Sequence, residues 1–269
     1  MTVTTNLPSL SGLPSTSHVC WVIGDHAWYG DLAAACLGEG ADLGQKTVLF
    51  GPAGSEDLGA LRPIAAMSAD PHVEFLAERS LEPQTMFAIF REQSAIARAE
   101  GYDGVRVVAD MDWLLPASPS NEEIIAYEVL LDRVVAELGA TVICAYRRSS
   151  FEDSAIAGAL CVHPLLFGEH QQPRFSLLAR NADGWQLSGE VDLAGSLAFA
   201  SAFGATAQEP CVIDVSSLDF IDVAGMRTIA ETARSAQVRV QLHGVKGTLR
   251  RNWRIAGFHE WAPTVEFLD

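Results

Sequence analysis

Four short runs, HVCWVIG (18–24), KTVLFG (46–51), VRVVADM (105–111) and TVICAYR (141–147), are apolar almost without a break. A strand with one wet face alternates polar and apolar residues; a strand that does not alternate is covered on both faces. Between the runs lie segments of helical period: DLAAACLGEG ended by glycine, SEDLGALRPIAAM broken at Pro63, EPQTMFAIFREQSAIARAEG with proline in its first turn, NEEIIAYEVLLDRVVAELG and SFEDSAIAGAL. HVEFLA (72–77) reads as one further short strand. Apolar strands separated by crossover helices predict an α/β fold with a mostly parallel sheet sandwiched by helices.

After the polar, proline-containing stretch GEHQQPR (168–174), read as a linker, the pattern changes. RFSLLARNADGWQLSGEVDL predicts a hairpin turning at Asn181, Asp183 and Gly184. AGSLAFASAFGATAQ predicts a helix, and PCVIDVSSLDFI a central strand. In DVAGMRTIAETARSAQ, Val223, Met226, Ile229, Ala230 and Ala233 share one helical face. VRVQLHGV, KGTLRRNWRIAGF and APTVEFL complete a second, smaller α/β unit. The expected organisation is a flexible N-terminal arm over 1–16, a first domain over 17–167, the linker over 168–174 and a second domain over 175–269.

The formal charge is −16, and residues 1–170 hold nine basic against 23 acidic side chains. That balance argues against nucleic-acid binding, which needs clustered Lys and Arg. No apolar run approaches the ~18 residues of a membrane span, and the N-terminus lacks a secretory pattern. The five cysteines, Cys20, Cys36, Cys144, Cys161 and Cys211, form no CxxC pair; four of the five sit in apolar runs and read as core residues of a cytoplasmic protein. The loop after the first strand, GDHAWYGD, has no phosphate-loop lysine, and Lys46 is the sole lysine of residues 1–170. Asp110 and Asp112 leave the sheet where a magnesium-binding aspartate would sit, but without that loop ATP hydrolysis is not expected. No GxSxG nucleophile signature occurs, so no catalytic residue is assigned. His18 and His163 have no HxxxH or HxH partner, so packing or capping is expected of them rather than metal ligation. Glu128 borders the apolar face of its helix, within reach of Arg106 or a ligand. Trp28, Tyr29 and Trp113 stand in loops and suit a pocket wall or a packed lid.

LSGEVDL, then CVIDVSSLDFIDVAGM, then VQLHGV and IAGF resemble the STAS domain of anti-sigma-factor antagonists over about 175–268. The resemblance implies that Asp222, Val223, Ala224 and Gly225 occupy the motif that docks a partner kinase, with Asp192 and Asp214 near the same surface. It also implies a phosphorylatable serine where this chain has Ala224. Neither Ala224 nor Val223 carries an acceptor oxygen; Ser216, Ser217 and Thr228 are the nearby hydroxyls. Asp222 caps a helix start equally well, and Asp192 and Asp214 serve equally as turn residues.

HVCWVI, GVRVVADMDWLL, AYEVLLD, TVICAYRRSSF and HPLLF, in that order, resemble the MEDS sensory domain of methanogens and methylotrophs over 17–167. That resemblance implies a RecA-like fold sensing small hydrocarbon derivatives, and marks His18, Asp110, Trp113, Glu128, Cys144, Tyr146 and His163 as the ligand-sensing positions. The cofactor, if any, is left open. The combined expectation is a non-enzymatic regulator whose partner is an anti-sigma-factor kinase or another STAS-pathway protein, with a homo-oligomer as a further candidate. The alternatives are a RecA-like ATPase and a STAS-based structural hub.

Overall fold

The computed structural model describes residues 4–24, 29–51, 76–77, 80–181, 184–207 and 211–268. The expected helix 55–67, most of the expected strand 72–77, Asp25, Trp28 and Asp183 lie outside them.

In chain order the first part runs β1 (Thr5–Asn6), β2 (Ser17–Ile23), α1 (Tyr29–Asp42), β3 (Gln45–Phe50), β4 (Leu76–Ala77), β5 (Ser80–Leu81), α2 (Pro83–Ala99), β6 (Gly104–Asp110), α3 (Asn121–Leu138), β7 (Thr141–Arg147), α4 (Asp153–Leu160) and β8 (Leu165–Gly168). Six of these strands form one sheet in the order β1-β8-β2-β7-β6-β3, with every neighbouring pair parallel. All seven residues of β2 and of β6 are buried, as unbroken apolar runs require. Helices α2, α3 and α4 cover one face of the sheet, while α1 and residues 7–13 cover the other. Residues 4–16 therefore do not stand off as an arm: Thr5 and Asn6 pair with β8, and Leu10 and Leu13 are buried beside α1.

The second part runs β9 (Phe175–Asn181), β10 (Gly184–Val191), α5 (Ser196–Thr206), β11 (Cys211–Asp214), β12 (Leu218–Ile221), α6 (Val223–Ser235), β13 (Val240–His243), α7 (Gly247–Ile255), α8 (Phe258–Trp261) and β14 (Val265–Leu268). Its sheet is mixed: β9 and β10 are an antiparallel hairpin, and the other pairs are parallel. The run 211–221, expected as one central strand, is two. Asp214 accepts a hydrogen bond from the Ser216 amide (2.9 Å), which turns the chain, and β10 pairs first with β11 and then, from Gly189 on, with β12, the register shifting between Gly189 and Glu190.

Helix α3 belongs to both parts. A capping box starts it: Glu123 N–H donates to the Ser120 hydroxyl (3.2 Å), and Ser120 N–H donates to the Glu123 carboxylate (2.8 Å). Gly139, at φ +63°, ends it. Ile124, Tyr127, Leu131, Val134 and Val135 pack on the first sheet. Ile125 and Val129 instead join the core of the second unit, together with Cys161 and Val162. Two apolar faces on one helix leave little of it for solvent, and α3 accordingly lies against α5 and β9 as well as its own sheet. Polar contacts reinforce this seam. Leu177 N–H donates to Cys161 O (2.9 Å), and the Arg133 guanidinium lies 4.3 Å from the centre of the Trp185 ring.

Candidate functional site

Strands β2 and β7 are neighbours in register, with His18 opposite Val142, Cys20 opposite Cys144 and Val22 opposite Tyr146. The period of two along a strand sorts their side chains. Val19, Trp21, Ile23, Ile143 and Ala145 face α1, while Cys20, Val22, Val142, Cys144 and Tyr146 face α3. Above that second face, α3 projects Glu128 and, one turn on, Asp132. His163 enters from the turn between α4 and β8, its Nδ1–H donating to Ala159 O (2.7 Å).

These side chains meet. Glu128 Oε2 lies 3.3 Å from His18 Nε2, 3.5 Å from His163 Nε2 and 3.5 Å from Cys144 Sγ. The Tyr146 hydroxyl donates to Glu128 Oε1. Cys144 Sγ is 3.7 Å from His18 Nε2, and the two imidazole rings are 4.0 Å apart between centroids. The outer nitrogen of His18, Nδ1, donates to Asp132 Oδ1 (3.3 Å), while Asp132 Oδ2 accepts the Ala179 N–H of β9 (2.8 Å). His163 Nε2 is buried and makes no hydrogen bond.

Burial disfavours a charge on His18, but hydrogen bonds to Asp132 and Glu128, with the charges of both, push its pKa up to about 9. Burial and then the positive charge of His18 push His163 down to about 4. Burial also works against the Glu128 carboxylate. The charge of His163, the hydrogen bond and charge of His18, and the Tyr146 hydroxyl outweigh it and hold the carboxyl below its usual range. Since His163 is neutral near pH 7, that support falls to His18 and Tyr146. Burial and the Glu128 charge push the Cys144 thiol well above its ordinary value.

Five of the seven expected ligand-sensing positions, His18, Glu128, Cys144, Tyr146 and His163, thus share one buried centre. Isolated in sequence, the two histidines are in contact in space. Trp113 and Asp110 are elsewhere. Trp113 is buried against Phe50 and Tyr127, so it is core rather than pocket wall. Asp110 sits at the end of β6, where Arg147 pairs with it (2.5 Å) and with Asp112 (3.1 Å) and lies over the Tyr29 ring. The pair is thereby tied to an arginine rather than left open to a magnesium ion. Arg106 is not near Glu128; it bonds to Gln45, Cys36 O and Glu39 instead. Asp132 escaped the sequence reading, although its i, i+4 spacing from Glu128 places both carboxyls on one side of α3.

In the second unit, Asp222 caps α6 by accepting from Gly225 N–H (2.8 Å). Val223 is exposed and Ala224 half-buried at the helix start. Gly225 faces inward: a Cβ there would lie 2.7 Å from Ile221 Cγ1 and 2.9 Å from Val191 Cγ1. The glycine thus serves close packing of α6 on the sheet, not the approach of another backbone. The Asp222 amide donates to Val191 O (3.0 Å), so the ends of β10 and β12 lie together. There Asp192 pairs with Arg174, and Leu193 is exposed. Asp214 pairs with Arg180 on β9.

No helix among the described residues is long and apolar enough to cross a membrane. Two family models match the chain, in this order: MEDS, the methanogen/methylotroph, DcmR sensory domain, over residues 17–164, and a Mlab, STAS domain over residues 178–267. Both are regulatory rather than catalytic domains. No curated protein matches the chain. The MEDS match takes in more than half of the chain and every side chain of the buried centre, from His18 to His163; the chain belongs to the MEDS family and carries a STAS domain after its sensory domain.

Proposed function

We propose that the chain is a non-enzymatic signalling regulator in which residues 17–167 receive a signal and residues 175–269, joined through 168–174, deliver it by binding a protein partner. One observation carries this reading: the Asp132 carboxyl bonds to His18 in the sensory centre and to the Ala179 amide of β9 in the STAS unit. A ligand that shifts His18 changes what Asp132 offers to β9, and a ligand with different affinity for two such arrangements biases their populations.

The partner is an anti-sigma-factor kinase or another STAS-pathway protein. Support comes from the exposed start of α6, where Val223 stands clear and the Asp222 amide ties the helix to the end of β10, two residues before exposed Leu193. Ala224 has no hydroxyl, so the chain presents a docking corner permanently in the unphosphorylated form. The helix start with its free N–H groups would otherwise suit a phosphoryl group. Binding of the full chain to anti-sigma kinases, beside an authentic antagonist as control, tests the partner. Failure with every kinase that the control binds overturns it. Ala224→Ser is expected to convert the chain into a substrate of a kinase it binds, read as one phosphate per chain by mass spectrometry, with none on the parent helix start. The reading also expects no phosphate release from ATP and magnesium, since Asp110 and Asp112 are tied to Arg147.

A further inference from the structure

The buried centre has the donor set of a metal site. His18 Nε2, His163 Nε2, Glu128 Oε2 and Cys144 Sγ all lie within 4.8 Å of one another, and all four residues are buried. Around a tetrahedral ion with metal–nitrogen and metal–oxygen bonds near 2.0 Å and a metal–sulfur bond near 2.3 Å, neighbouring ligand atoms stand about 3.3–3.6 Å apart. Four of the six separations here are 3.3, 3.5, 3.5 and 3.7 Å.

The outer bonds point the same way. Each imidazole is anchored by Nδ1, His18 to a carboxylate and His163 to a backbone carbonyl, and each turns Nε2 to the interior. Such outer partners orient metal-ligating histidines. His163 Nε2 is completely buried, lies within 4.8 Å of the other three donors, and makes no hydrogen bond. In a packed core that orphan costs free energy without return. A divalent ion would use that lone pair and offset the two carboxyl groups, Glu128 and Asp132, that flank a single imidazole.

We infer that His18, Glu128, Cys144 and His163 bind one borderline divalent transition-metal ion, of which zinc is the type, in a four-ligand site closed to substrate. A thiolate beside two imidazoles disfavours magnesium and calcium, which take oxygen donors. On binding, the proton of Cys144 and the Nε2 proton of His18 leave to solvent as the metal bonds form. The way in is a cleft of about 290 Å³ lined by His18, Asp132, Pro164 and Ala179, at the seam between the two units. As the ligand of the sensory unit the ion rests on the regulator reading; as a metal centre it does not.

The test uses the full chain, reduced and stripped with a chelator, then titrated with zinc and with cobalt(II) as the visible probe. One ion per chain is expected, with tetrahedral cobalt d–d bands and a thiolate-to-cobalt charge-transfer band. Cys144→Ser should abolish the charge-transfer band, and Asp132→Asn should weaken binding about 10–100-fold. A cobalt spectrum with no thiolate band, or affinity unchanged in both Cys144→Ser and His163→Gln, overturns the site. X-ray absorption on the zinc-loaded parent protein is independent of any variant's folding: one sulfur and three nitrogen or oxygen neighbours are expected, and any other shell overturns the inference. Hydrogen exchange at the Ala179 amide separates the two claims. Stoichiometric metal with exchange unchanged leaves the metal centre standing and removes the coupling to β9. A partner bound by a chain that takes no metal removes the metal centre and leaves the regulator reading standing.

Discussion

Gly225 shows how little freedom single positions have. Its missing side chain leaves room for Ile221 and Val191 to close under the start of α6. Gly225→Ala is expected to cost about 1–3 kcal/mol through overpacking, read as a lower urea midpoint at unchanged slope. At this scale the sequence singled out residues without showing which of them meet. His18, Glu128, Cys144, Tyr146 and His163 come from four separate segments, and spacing alone cannot bring a β2 side chain to one in the turn before β8. The helical angle put Glu128 at the border of an apolar face; it is buried because it points onto the sheet, against Cys144 and Tyr146 of β7 and the two histidines. Asp132 was missed because a charged residue on a long helix ordinarily points to water.

Among the elements, α3 has the clearest outline in the sequence. Ser120 and Glu123 write its start and Gly139 its end, and Asn121–Leu138 falls between them. Ser120→Ala removes half of the capping box and should lower stability by about 1 kcal/mol, with faster amide exchange confined to the first turn. Strand β7 was equally legible, since an apolar run between a helix-ending glycine and a pair of arginines leaves few other choices. The split of 211–221 was not. It depends on the Asp214 side chain capturing the Ser216 amide and on Gly244, at φ +69°, approaching Ser216. Hydrophobic periodicity carries no trace of either contact.

At the scale of the molecule, the sequence divides the chain at residues 168–174, and the packing does not. Ile125, Val129, Cys161 and Val162 from the first part sit in the core of the second. Heat or denaturant should therefore unfold the described parts in one transition, with far-ultraviolet and tryptophan signals superimposing. Val129→Ala, at a side chain with no exposure, should move that single transition down by about 2 kcal/mol rather than split it. Two separated midpoints would show that α3 does not tie the units together.

The shared helix also decides how the protein can be dissected. A fragment of residues 175–269, the natural choice for anyone wanting the partner-binding half alone, would bare the sides of β9 and α5 that α3 covers, and would orphan the Ala179 amide. Such a truncate should self-associate on a sizing column and bind a hydrophobic dye.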